Sequence, residues 1–343
     1  MGVQTVGLIF GGKSGEHEVS IVSARSIASG LSKYHILPFY IDRFGFWHDE
    51  RESLAVLEGH GAINLSSLSS FVLPERIKDV DIWFPVLHGP NGEDGTVQGL
   101  LQLTQKPFVG NNVLASAIGM DKIVMKSLFA KAGIPQVNYL SFNRSQWHKQ
   151  AELWQETIEL ELQYPCFVKP SNLGSSVGIS KIRNRSELEK GITNALGYDD
   201  RVIVEQGVTA REIECAILGN EQPLASVVGE ISYSSDFYDY ETKYTPGKAS
   251  LTIPAQLKPE VVNLVQDLAI KAFQTIGGRG LARVDFFYVE SAGKVLLNEI
   301  NTMPGFTHTS MYPKLWEATG VTFAQLCDRL ISLAQESYDN IKR

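Results

Sequence analysis

A chain of 343 residues is too long for one small core and suits two or three modest domains. Hydrophobic residues at 43% and charged residues at 20% are ordinary for a soluble globular protein. The net charge of −7 argues against a nucleic-acid binder, which needs a basic face, but leaves room for a small anionic ligand.

Cys166, Cys215 and Cys327 lack metal-ligand spacing and read as reduced core thiols. No basic leader precedes MGVQTVGLIF, and no window reaches the ~18 apolar residues of a membrane span. The expected location is the cytoplasm, with no membrane or nucleic-acid partner.

Val3 to Phe10 is an apolar run ending at Gly11-Gly12, the pattern of a buried parallel strand. A helix follows over Val19 to Ile27, and ILPFYI (36–41) and DIWFPVL (81–87) are further strands. This alternation predicts an α/β unit over 1–121 with binding loops at the strand ends, and 44–78 as a weakly patterned insertion. Helix DKIVMKSLFAKAG opens a second, α+β unit over 122–212; YPCFVKP and GISKI form a hairpin around the Gly/Ser loop SNLGSSVG. A third unit, 213–343, holds strands IECAILG, PLASVVGEI, ARVDFFYV and KVLLNEIN, helix 258–276, a polar-aromatic loop at 232–252 and terminal helices.

GLIFGGKS (7–14) matches the phosphate-loop pattern G-x-x-x-x-G-K-[ST], but Leu8, Ile9 and Phe10 belong in a strand, so the match is accidental. What remains is a Gly-rich turn into a helix, followed by Glu16 and His17. HGPNGEDGTVQG sits where ligand loops sit and gathers His88, Glu93 and Asp94, although an ordinary Gly-rich turn reads the same way. Lys169 at a strand end, Lys122 on the preceding helix, and Ser171, Ser175 and Ser176 together suit phosphate oxygens. Glu205 and Glu212 are either acceptors for adenine and ribose or two exposed acids beside a hinge.

Arg283 and Asp285 share one strand face by period two, as do Glu299 and Asn301. If their strands pair, Asp285, Glu299 and Asn301 form a hard oxygen set that selects magnesium or manganese over zinc. A salt-bridged polar sheet face is the competing reading. A dehydrogenase would need G-x-G-x-x-G, which GGKSG is not, and a non-catalytic binder need not keep Arg283, Asp285, Glu299 and Asn301 together.

GGKSGEHEVS, HGPNGEDG, MDK, VKPSNLGSSVG, DFYDYETKYTPG, RVDF and NEINTMPGFTHTSMYP occur in this order. From about residue 3 to 335 the chain resembles the D-alanine–D-alanine ligases of the ATP-grasp superfamily. The resemblance implies a three-domain fold with an N-terminal parallel sheet, and ATP-driven joining of two D-alanines through a D-alanyl phosphate for peptidoglycan synthesis. It further implies a homodimer and two magnesium (or manganese) ions on Asp285, Glu299 and Asn301. Lys122, Lys169, Ser175, Glu205, Val208, Glu212, Lys243 and Asn298 would meet the nucleotide. Arg283 and the Gly305 N–H would stabilise the tetrahedral oxyanion. Glu16, near His88, would anchor the first D-alanine; Ser310 and Met311 would receive the second. The 232–252 loop would be a lid in which Tyr244 bonds Ser175 and Glu16. Relatives that make D-alanyl-D-lactate often carry histidine in this loop, so Lys243-Tyr244 favours D-alanine as second substrate. A D-alanine–D-lactate ligase or another ATP-grasp carboxylate–amine ligase is the alternative.

Overall fold

The computed structural model describes residues 3–60, 72–233 and 249–341. Three sheets organise them. In the first, β1 (Thr5–Gly11) lies between β2 (His35–Ile41) and β3 (Ile82–Pro85), all parallel. Leu8, Ile9 and Phe10 are fully buried in β1, so the residues that mimic a phosphate loop are core. At Gly7 a Cβ would stand 2.5 Å from the Trp83 ring, so only glycine lets that indole cross the strand. Helix α1 (His17–Gly30) packs on this sheet and leads from the Gly-rich turn.

Within the stretch read as an insertion, the described residues 44–60 and 72–78 pack on this sheet. Trp47 and Ser53 are buried, and α2 (Glu50–Glu58) packs on β2, its N-terminus capped by the Asp49 side chain on the Glu52 N–H. Leu73 and Ile77 pack against the same core. A nine-residue helix with one fully buried position carries too little periodic signal to be seen in sequence. Helices α3 (Thr96–Leu103) and α4 (Val113–Met120) complete the N-terminal part.

The second sheet is antiparallel, with order β4-β7-β5-β6: Tyr139–Asn143, Arg201–Gln206, Cys166–Pro170 and Ser180–Ile182. As expected, β5 and β6 form a hairpin around the Gly/Ser loop. Helices α6 (Arg144–Glu161) and α7 (Arg185–Leu196) cover it. The preceding helix, α5 (Lys122–Lys131), sends Met125 and Phe129 into the core of the third sheet instead.

That third sheet is also antiparallel, with order β10-β9-β8-β11-β12: Ala249–Thr252, Leu224–Tyr233, Arg211–Gly219, Gly280–Val289 and Lys294–Asn301. Helix α8 (Pro259–Thr275) covers one face. On the other side, α9 (Met311–Ala318) and α10 (Phe323–Ile341) form one continuous core with α1 and the first sheet. No helix among the described residues is long and apolar enough to cross a membrane.

Candidate active site

A cleft of about 290 Å³ separates the Gly/Ser loop of the second sheet from β8, β11 and β12 of the third. One wall is cationic. Lys122 and Lys126 are one turn apart on α5 and so share a face, and Lys169 comes from the end of β5. All three are buried. On β7, directly opposite Phe167, Glu205 answers them. Its carboxylate oxygens lie 3.0 Å from Lys126 Nζ and 2.6 Å from Lys169 Nζ, while Lys122 Nζ donates to the Leu173 carbonyl of the Gly/Ser loop at 2.6 Å.

Burial pushes the Lys122 and Lys126 ammoniums below the usual lysine range, although Glu205 and Glu299 partly restore them. Burial acts on Lys169 too, but Glu205 outweighs it and the net shift is upward. The Glu205 carboxyl, which burial alone would raise, is pulled down to about 2 by Lys126 and Lys169. Buried charge is costly unless matched. Three lysines around one glutamate therefore define a wall that suits an anion.

The floor has the opposite sign. The two strands do pair: β11 and β12 run antiparallel with Arg283 opposite Asn301 and Asp285 opposite Glu299. Beyond Glu299 the register slips, so Phe286 faces Leu297 and Asn298 is the extra residue of a bulge. Val295 and Leu297 face the core before the bulge and Ile300 after it. The bulge reverses the alternation and lets Asn298 and Glu299 both line the cleft. Arg283 is locked in place: Nε and Nη2 donate to Asp285 at 2.8 and 2.7 Å, and Nε lies 2.9 Å from Glu214. Burial would lower its affinity for a proton, but Asp285 and Glu214 hold it well above the usual range. Glu212 is raised by burial, with Asp285 and Glu299 adding to the effect and the Tyr233 hydroxyl opposing it.

This donor set fits a hard divalent cation. The Asn301 Oδ1 is buried and accepts no hydrogen bond, beside the carboxylates of Glu299 and Asp285. Among the described residues no three His, Cys, Asp or Glu side chains gather at metal-holding distance; here two carboxylates are joined by an amide.

A smaller pocket of about 50 Å³ adjoins the cleft, sharing Lys122, Gly174, Ser175 and Glu299 with it. Glu16, Glu93 and Asn301 close its other sides. Glu16 precedes α1 without capping it, and a Cβ at Gly89 (φ +79°) would stand 3.3 Å from Glu16 Oε2, so the two Gly-rich loops meet here. Ser175 and Ser176 are left-handed at φ 55° and 57°, a conformation non-glycine residues rarely hold and one that clusters at functional loops.

Lys122, Lys169, Ser175, Glu205, Val208, Glu212, Arg283, Asp285, Asn298 and Glu299 thus gather in one cleft, and Glu16 and Asn301 in its annex. Glu205 lines the cleft and is also the counter-ion of two buried lysines, Lys126 and Lys169. Met311 is 5% exposed and its side chain packs in the core, where a Cβ at Gly229 would stand 3.0 Å from its sulfur. Ser310 starts α9, but its hydroxyl bonds Thr307 instead of capping the helix, and it faces Gly305. His88 is buried behind Glu93, and Asp94 serves its own turn by accepting the Asn91 and Thr96 N–H groups. His308 stacks on Phe323, a local role. Lys243 and Tyr244 lie outside the described residues.

Sequence reading missed several residues of the site, of which Glu214 lines the cleft and Lys126 binds Glu205. Lys126 follows Lys122 by four on one helix face, and Glu214 follows Glu212 by two on one strand face; either spacing was a usable signal. Phe167, Ile179 and Phe287 form an apolar part of the cleft that no local pattern marks.

A cationic wall over an acidic floor, closed by a Gly/Ser hairpin between two antiparallel sheets, is the architecture of an ATP-grasp ligase. Comparison with known proteins agrees. The D-ala D-ala ligase N-terminus family matches residues 5–111, and the D-ala D-ala ligase C-terminus family matches residues 128–332. A D-alanine–D-alanine ligase of Synechococcus sp. (strain RCC307) is 51% identical over 97% of this chain and 98% of its own. Among solved structures, the VanG D-Ala:D-Ser ligase of Enterococcus faecalis superposes with a TM-score of 0.85 at 37% identity, covering 97% of this chain and all of its own (100%). The D-alanine–D-alanine ligase of Coxiella burnetii gives 0.81 at 35%, covering 99% and 96%. The chain belongs to the D-alanine–D-alanine ligase family, enzymes that supply peptidoglycan precursor synthesis.

Proposed function

We propose that the chain couples ATP cleavage to the joining of two D-alanines in the cleft and its annex. The observation that carries this reading is the pairing of the buried Lys122 and Lys169 with an acidic floor across one cleft. A triphosphate would satisfy the lysines, and Asp285, Glu299 and Asn301 would hold a divalent cation. Magnesium or manganese, two ions as the resemblance implies, would there neutralise phosphate oxygens.

Lys122 and Lys169 hold the phosphates, with Lys169 oriented by Glu205. Val208, Glu212 and the apolar residues of the cleft receive the nucleoside. Glu16 holds the ammonium of the first D-alanine in the annex, whose carboxylate attacks the γ-phosphorus and releases ADP. The amine of the second D-alanine, once deprotonated, attacks the acyl-phosphate carbon. A tetrahedral intermediate forms, and phosphate leaves as the peptide bond closes. Arg283, held rigid by Asp285 and Glu214, and the Gly305 N–H stabilise the oxyanion with little reorganisation.

The test is ADP release as a function of D-alanine and Mg2+, with D-serine and D-lactate as competing second substrates. Release should require both D-alanine and the cation, and D-alanine should exceed D-lactate at neutral pH. Cation-independent release, or faster turnover with D-lactate, would overturn the reading. A homodimer is the expected assembly, to be checked by light scattering.

A further inference from the structure

Outside the cleft, a buried polar cluster joins the N-terminal part to the loop after β12. Ser23 on α1 is completely buried, with its hydroxyl 3.2 Å from His88 Nε2. The other ring nitrogen, Nδ1, lies 3.2 Å from the Met303 carbonyl and 3.5 Å from Glu93 Oε1. Both of those oxygens only accept, so Nδ1 carries the proton. In the neutral ring Nε2 then accepts the Ser23 hydroxyl proton. The Ser23 oxygen in turn accepts the Phe306 N–H at 3.4 Å.

The two ends of this relay grip Met303 and Phe306, the residues on either side of Pro304-Gly305. The Phe306 ring is fixed as well, packed against Phe84, Tyr312 and Phe323. At Gly305 itself an added Cβ would meet only the Ser310 side chain. A main-chain donor acts on a developing oxyanion only if its direction is fixed beforehand, and α1 is a rigid anchor for that purpose.

We propose that Ser23 is a positioning residue for the ligation: with His88 it clamps both flanks of Gly305 and so aims the Gly305 N–H. This rests on the reading of Gly305 as an oxyanion donor. Ser23 touches no substrate; it acts through His88 and the Phe306 amide.

The experiment is steady-state kinetics and ADP binding on Ser23→Ala, Gly305→Ala and the double variant, each checked for folding by circular dichroism. Gly305 does not have a positive φ, and an alanine Cβ there would stand 3.1 Å from the Ser310 hydroxyl, which a small shift of that side chain relieves. Ser23→Ala should lower kcat roughly 10- to 100-fold, as small misplacements of catalytic groups do. KM for ATP and ADP affinity should hold, and the double variant should lose little more than Gly305→Ala alone. Ser23→Cys, close in volume but a weaker donor and acceptor, should lose kcat in the same sense, and it carries the test if the alanine variant does not fold. Wild-type kcat in a folded Ser23 variant would overturn the proposal, as would losses in ADP affinity equal to those in kcat. The Gly305→Ala result then separates the two ideas: if it alone loses kcat, the oxyanion reading stands and only the clamp falls. If neither variant loses kcat, both fall.

Discussion

Lys126 is the residue whose environment most constrains its function. It is fully buried, one turn beyond Lys122, and bound to the carboxylate that also orients Lys169. Lys126→Met keeps most of the apolar volume but leaves Glu205 neutralised by Lys169 alone, so the cationic wall weakens. The expected result is a rise of about tenfold in KM for ATP with a smaller change in kcat, measured by coupled ADP release. Glu205 sets a pH dependence with a definite sign. Its folded value, about 2, lies below the ordinary 4.5, so its contribution to stability is complete above about pH 4.5 and fades as pH falls towards 2. The urea-midpoint gap between the wild type and Glu205→Gln should be constant above pH 4.5 and close on acidification. The gap above pH 4.5 should correspond to about 3–5 kcal/mol, the usual cost of breaking a buried pair.

At the scale of elements, the bulge in β12 decides which face Glu299 and Asn301 occupy. Period-two alternation places Glu299 and Asn301 together, but Val295 and Leu297 share that same odd parity and are core. A regular strand would therefore bury Glu299 and Asn301 among apolar residues; the extra residue, Asn298, prevents it. Deleting Asn298 should return the pair to the core face and abolish ADP binding, with a melting temperature at least several degrees lower. Asn298→Ala keeps the bulge and should retain the fold while weakening nucleotide binding. Thermal melts with and without ADP distinguish the two variants. The hairpin β5–β6 was legible because the Gly/Ser loop interrupts two short apolar runs. Helix α2 was not legible, because its burial comes from the neighbouring β2 rather than from its own periodicity.

For the whole molecule, the largest core spans chain ends. Leu326, Leu330 and Ile331 of α10 pack with Leu8, Ile27 and Leu31 of the N-terminal part. Ending the chain after Gly320 would expose that core and should leave the N-terminal part unfolded or aggregated, as seen by loss of its cooperative melt. The cleft lies between the second sheet, whose core is its own, and the third, so a ligand that bridges the two should add to the stability of the fold. ADP at about a hundred times its dissociation constant should add about 2.7 kcal/mol, and chelating Mg2+ should remove most of it. An undiminished effect in chelator would remove the acidic floor from the nucleotide site.

Residue order alone determined the α/β beginning, the Gly/Ser hairpin, the sharing of a strand face by Arg283 with Asp285 and by Glu299 with Asn301, and the family to which seven ordered motifs point. Each of these is local in sequence, carried by alternation, glycine punctuation or motif spacing. Tertiary structure decided the rest, because it depends on which distant surfaces meet. Glu205 became a counter-ion because α5 lays Lys126 across β7, and Met311 became core because Gly229 gives it room. Ser23 met His88 and the Gly305 loop only because α1 packs between the first and last parts of the chain.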